Sequence, residues 1–141
     1  VGSALEERFG TEINGSFGQF PGTDSSGAAT YVANATAAGF DGTGAFSPES
    51  YDAAALILLA MHAAGSTNSA DFAGKIMDIA NAPGEKIEPG DLARAMELLS
   101  AGTDIDYVGA SAVELIGPSE SAGNYREIEF VDGKITTVKF R

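Results

Sequence analysis

The chain has no cysteine and no tryptophan, one histidine, and eight basic residues against twenty acidic ones. The lack of cysteine removes disulfides, thiolate metal sites and thiolate nucleophiles together. It also fits a periplasmic protein. His62 has no second histidine or cysteine with which to form a zinc site. It falls late in a helical segment, where an imidazole near the negative end of the helix dipole is ordinarily structural. The formal charge of −12 argues against nucleic acid and anionic lipid as partners, because no basic patch exists to release counterions. Such acidity favours solubility. The longest apolar run, residues 53–61, is far short of the ~20 residues that span a bilayer.

What is present suffices for a core: apolar residues make up 44% of the chain, well above a disordered composition. Residues 15–20 alternate small or polar with aromatic, which predicts a short strand ended by Pro21-Gly22. Asp24 can cap a helix to about residue 38, with Ala28, Tyr31, Val32 and Ala35 on one face. Ser47-Pro48-Glu49 opens a second helix, Ser47 as cap, Pro48 in the first turn, Glu49 at the positive end of the dipole. Residues 51–64 are apolar nearly all round, so this helix is expected to be buried on most sides. A third helix is expected with Ser69 as its cap and Phe72, Ile76 and Ile79 as its stripe. A fourth is expected from Pro89, with the stripe Leu92, Met96, Leu99 and a solvated face of Asp91, Arg94 and Glu97.

After Ser111 the period changes to two. Residues 112–116 read as a short strand. Asp132-Gly133 is a hairpin signal between two longer strands, since glycine tolerates positive φ. The register expected from a two-residue turn pairs Phe130 with Ile135, Ile128 with Thr137, Glu127 with Val138 and Tyr125 with Phe140.

No nucleophile and base stand together, so no catalytic residue is assigned and the chain is read as non-enzymatic, with no metal and no cofactor. Asp104 and Asp106 share a face at i, i+2, but a calcium loop needs more oxygen ligands. Gly42-Thr43-Gly44 lacks the lysine of a phosphate loop. Asn14-Gly15-Ser16 and Asn34-Ala35-Thr36 match the glycosylation pattern, which is common by chance.

Two blocks carry a family resemblance. The run from Ala101 to Ser111 reads AG-x-DI-x-Y-x-GAS. Upstream stand Tyr51-Asp52-Ala53-Ala54-Ala55-Leu56 and Gly65-Ser66-Thr67. In this order they resemble extracellular solute-binding proteins of the branched-chain-amino-acid and amide type, the type I periplasmic class. Val108, Ala112 and Glu114-Leu115-Ile116-Gly117 depart from the family's usual residues. The resemblance implies a two-lobed α/β fold of which these 141 residues are the C-terminal part, a helical cluster followed by strands and a hairpin. It implies that residues 1–23 end one lobe and cross to the next, 24–103 are the helical part of the other, 104–111 are a hinge crossing and 112–141 a β-rich end. Asp104, Asp106 and Tyr107 would lie in that hinge.

The turn before the second helix would face the interlobe cleft. Phe46 would then serve as an apolar wall and Glu49 as acceptor for an ammonium group; Phe46 as a staple of the helix start is the competing reading. The implied partners are a small polar solute and the membrane subunits of an ABC importer. A separate reading is a self-contained α+β interaction module that dimerises, since the apolar helix needs neighbours.

Overall fold

Helix α3 (Ser47–Ala64) is the centre of the fold in the computed structural model, which describes residues 2–118 and 120–141. Burial follows the helical period: Asp52, Ala55, Leu56, Leu59 and Ala60 are buried. These form the i, i+3, i+4, i+7, i+8 set of one face. The opposite face leaves Ile57 and Leu58 40% and 57% exposed. A helix buried on most sides was expected; its composition does not distinguish the faces, whereas its contacts do. Gly65, at φ 62°, ends α3 in the left-handed conformation, which glycine adopts without a Cβ penalty.

The core forms along the buried face. The expected third helix is two, α4 (Ser69–Phe72) and α5 (Ile76–Ala80), joined by a 3-10 turn at Ala73–Lys75. Gly74 lies at this break, and glycine weakens a helix interior. Its cap is Asn68 rather than Ser69: Asn68 Oδ1 accepts from the Ala70 N–H over 3.1 Å. Phe72 and Ile79 of the expected stripe are buried, and Ile76 packs beside them.

Next comes a β–α–β unit of β2 (Glu85–Ile87), α6 (Leu92–Ser100) and β3 (Ile105–Tyr107). The strands are parallel, with Glu85 opposite Ile105 and Ile87 opposite Tyr107. The sequence does not announce β2, because three residues show no period. On α6 the buried residue is Ala95, while Met96 of the expected stripe is 38% exposed. A small residue there lets α6 approach α3 closely.

A second, antiparallel sheet has the order β1–β6–β7: β1 (Phe17–Pro21), β6 (Tyr125–Val131) and β7 (Lys134–Phe140). Asp132 and Gly133 have φ of 51° and 72°, the mirror-image turn that suits the twist of a tight hairpin. Phe130 faces Ile135 and Ile128 faces Thr137 as expected. A bulge then shifts the register, so Glu127 faces Lys139 and Arg126 faces Phe140. The expected pairs Glu127–Val138 and Tyr125–Phe140 therefore do not form, because the bulge leaves Val138 unpaired in the ladder.

Helix α1 (Gly2–Phe9) docks on β7 through Glu6, which accepts from the Ile135 N–H over 2.8 Å and from Lys134 Nζ over 2.9 Å. Strand β4 is Leu115–Gly117, later than the strand expected at 112–116, and it pairs with β5, Glu120–Ser121. Asn81 fixes β4 to the helical part by exchanging two hydrogen bonds with Leu115, of 2.7 and 2.9 Å. The chain is thus of mixed α/β class, a helical cluster with small sheets. Among the described residues, no helix is long and apolar enough to cross a membrane.

Candidate functional site

The helical part and the three-stranded sheet are joined at two adjacent places. Residues 22–25 leave β1 for α2 (Ser26–Ala37), and residues 122–124 lead into β6. Gly22 N–H donates to the Asn124 carbonyl over 3.1 Å. The Asn124 side-chain amide donates to the carbonyls of Ser111 and Ala112, at 3.0 and 3.2 Å. One asparagine therefore ties both crossings to the segment after β3.

Ser25, not Asp24, caps α2, accepting from the Ala28 N–H over 3.2 Å. The first turn of α2 lies against that same segment. A Cβ on Gly27 would sit 2.1 Å from the Gly109 carbonyl oxygen, so only glycine permits this approach. At the start of α3, Phe46 takes a left-handed φ of 61° and makes no side-chain cap. Ser47, expected as the cap, is inside the helix, and its hydroxyl bonds that of Tyr31 at 2.5 Å. The Tyr31 and Tyr51 rings lie 5.2 Å apart. Together these contacts hold α2 against α3.

One turn further, Asp52 is 1% exposed. Its Oδ1 accepts from the Tyr107 hydroxyl at 2.9 Å and the Ala110 N–H at 2.8 Å. Its Oδ2 accepts from the Ser111 N–H at 2.7 Å and the Ser111 hydroxyl at 2.6 Å. Four donors satisfy a carboxylate that burial would otherwise make costly. Gly109, at φ 63°, completes the arrangement, since a Cβ there would lie 2.3 Å from Asp52 Oδ1. Burial first, then the Asp52 charge, pushes the Tyr107 hydroxyl far above the ordinary tyrosine range.

Three clefts, of about 720, about 320 and about 190 Å³, open around this lock, and Glu49 lines all of them. Glu49 Oε2 is buried and has no hydrogen-bond partner. The largest cleft runs beside Asp52, Leu56, Ile76, Met77 and Val113. The middle one brings Phe46 and Glu49 together with Asn124 and Tyr125. A carboxylate oxygen without a donor, set among apolar walls, is an acceptor for a cationic or N–H-bearing group.

The expected hinge residues are placed differently from one another. Tyr107 is fully buried in the core, Asp106 is half-exposed on β3 between buried Ile105 and Tyr107, and Asp104 is exposed. The Asp104 carbonyl accepts from the Glu85 N–H over 3.0 Å. His62 Nε2 lies 2.9 Å from both the Met96 carbonyl and Ser100 Oγ, tying the ends of α3 and α6. Gly42 packs against Ala35. Among the described residues, no group of three or more acids and histidines could hold a metal ion.

Sequence reasoning passed over Asp52, Asn124 and Arg126. Asp52 had a signal, as the sole charge between Tyr51 and Ala64 apart from His62. Arg126 had one too: alternation along β6 puts it on the face of Ile128 and Phe130. Asn124 had none, because its partners depend on tertiary structure.

The chain is similar to the chemotactic signal transduction system substrate-binding protein BasB of Halobacterium salinarum (strain ATCC 29341 / DSM 671 / R1), with 33% identity over 93 residues. The match covers 65% of this chain and 22% of that protein, so the chain spans about a fifth of its relative's length. No known family pattern and no solved structure matches.

Proposed function

We propose that the chain belongs to a solute-binding protein that holds a small polar solute between two lobes and closes round it by hinge motion. The similarity to a substrate-binding protein supports the binding role. The observation that carries the reading is Glu49, a residue that lines three clefts and whose carboxylate has one buried oxygen without a hydrogen-bond partner. In this reading Glu49 accepts from an ammonium or amide group of the solute and Phe46 supplies an apolar wall. The solute is a branched-chain amino acid or an amide, as the sequence resemblance implies. The binding is not accompanied by covalent chemistry. The protein works on the outer side of the cytoplasmic membrane, in the periplasm where one exists.

The loaded protein is then read by a membrane partner. The sequence resemblance points to the subunits of an ABC importer. The relative's name favours a second partner, a component of a chemotactic signal transduction system. Both use the same solute site. Calorimetric titration of the full-length gene product with leucine, valine and small amides tests the site. At least one should bind with micromolar affinity, and Glu49→Gln should weaken it about tenfold or more. Equal affinity in Glu49→Gln and the parent, or no heat with any of the solutes, would overturn the reading.

A further inference from the structure

Arg126 is the one base of the chain's eight that is not exposed. It sits mid-row across the sheet, opposite Phe20 on one side and Phe140 on the other. Its guanidinium carbon lies 5.0 Å from the Phe20 ring centroid. Stacking of this kind holds a guanidinium in one plane without neutralising it. Its Nε is buried and has no hydrogen-bond partner. Leaving a buried cationic N–H unpaired is costly, so the position suits an acceptor that the chain itself does not supply. The β6–β7 bulge contributes directly, because the unshifted register would place Tyr125, not Arg126, beside Phe140.

Arg126 and Glu49 line the same cleft of about 190 Å³, one on the sheet side and the other on α3. Among the described residues, the two buried side-chain polar atoms without a hydrogen-bond partner, Arg126 Nε and Glu49 Oε2, belong to this pair of walls. They are complementary in charge, yet these atoms do not bond each other.

We propose that Arg126 is the specificity-determining residue of the solute site and that it selects a solute carrying a carboxylate over the corresponding amide. The inference rests on the reading that Glu49 lines that site. A guanidinium presents parallel N–H donors that match the two oxygens of a carboxylate. A carboxamide offers one oxygen and turns its own N–H₂ donors towards the other N–H groups, leaving donors opposed. Because Arg126 belongs to the sheet and Glu49 to the helical part, such a solute also links the two parts across the cleft.

Titration of the full-length gene product with L-leucine, L-leucinamide and 4-methylpentanoate tests this. The parent protein should prefer leucine to leucinamide by about tenfold or more. Arg126→Gln should abolish that preference, and Glu49→Gln should weaken leucine and leucinamide alike. Arg126→Lys keeps the charge without the fork and should fall between; it serves if the glutamine variant fails to fold by circular dichroism. An unchanged leucine-to-leucinamide ratio in Arg126→Gln or Arg126→Lys, with Glu49→Gln still impaired, would overturn the role of Arg126 alone. Failure of the parent to bind any of the three probes would sink this inference, and it would sink the site as well if valine and the small amides also gave no heat.

Discussion

Asp52 and Tyr107 lie 55 positions apart in the chain and meet in the core, the tyrosine hydroxyl donating to the carboxylate over 2.9 Å. Each belongs to one of the two blocks that carry the family resemblance. The blocks are therefore two halves of one hydrogen-bonded lock, which fixes the segment after β3 onto the middle of the fold.

Asp52→Ala would leave the Tyr107 and Ser111 hydroxyls and the Ala110 and Ser111 N–H groups without their acceptor. The expected loss is about 3–5 kcal/mol, the range for breaking a buried, charged network. Tyr107→Phe removes one bond and leaves the other three, so about 1–2 kcal/mol is expected. Urea unfolding of both variants checks the order; equal losses would show that the backbone contacts contribute little.

The same pair predicts alkaline sensitivity. The Tyr107 hydroxyl is raised by burial, by the Asp52 charge and by its bond to Asp52. In the unfolded chain it ionises near its ordinary value of about 10. The stability it contributes is fully present below that pH and falls as pH rises above it, because the unfolded chain gives up the proton first. Denaturant midpoints measured from about pH 8 to about pH 11 should fall less steeply for Tyr107→Phe than for the parent. Parallel curves would remove Tyr107 as a source of the effect.

Adjacent leucines on α3 should behave oppositely. Leu59 is 1% exposed and Leu58 57%. Leu59→Ala should cost about 2–5 kcal/mol through lost burial and a cavity. Leu58→Gln should change stability by no more than about 0.5 kcal/mol. Thermal unfolding of the two variants decides, and a large loss for Leu58→Gln would mean that its face is covered in solution.

A charge of −12 makes the folded chain repel itself, since compaction brings the acids together. Salt screens this over a length that falls from about 30 Å at 0.01 M to about 3 Å at 1 M. The melting temperature should therefore rise with sodium chloride across that range. A flat response would show that the acids are spaced too widely to matter.

Much of the secondary structure was legible because its signals are local. Gly65 ends α3 in the left-handed conformation that glycine favours. Asp132-Gly133 makes the expected hairpin, and Phe72 and Ile79 reach the core. Errors cluster where several residues compete for one role. Ser25 rather than its neighbour Asp24 caps α2, and Asn68 rather than Ser69 caps α4, while Ser47 falls inside α3 behind a Phe46 that makes no side-chain cap. The β6–β7 bulge shifted the hairpin register on one side only, which a two-residue turn rule does not foresee. At the candidate site, Glu49 and Phe46 were named because the family resemblance sets their turn at a cleft, while Arg126 reaches Glu49's cleft only through the sheet.

The sequence by itself determined the charge, the missing thiol chemistry, the hairpin turn and the apolar character of α3, since each depends on residue type or on neighbours a few positions apart. Tertiary structure alone decided which face of α3 is buried, that Asp52 receives four hydrogen bonds, and that Glu49 and Arg126 line one cleft. These depend on contacts between distant segments. An apolar helix has no preferred face until its neighbours arrive, and a carboxylate or guanidinium has no assigned role until the surrounding chain supplies or withholds its partners.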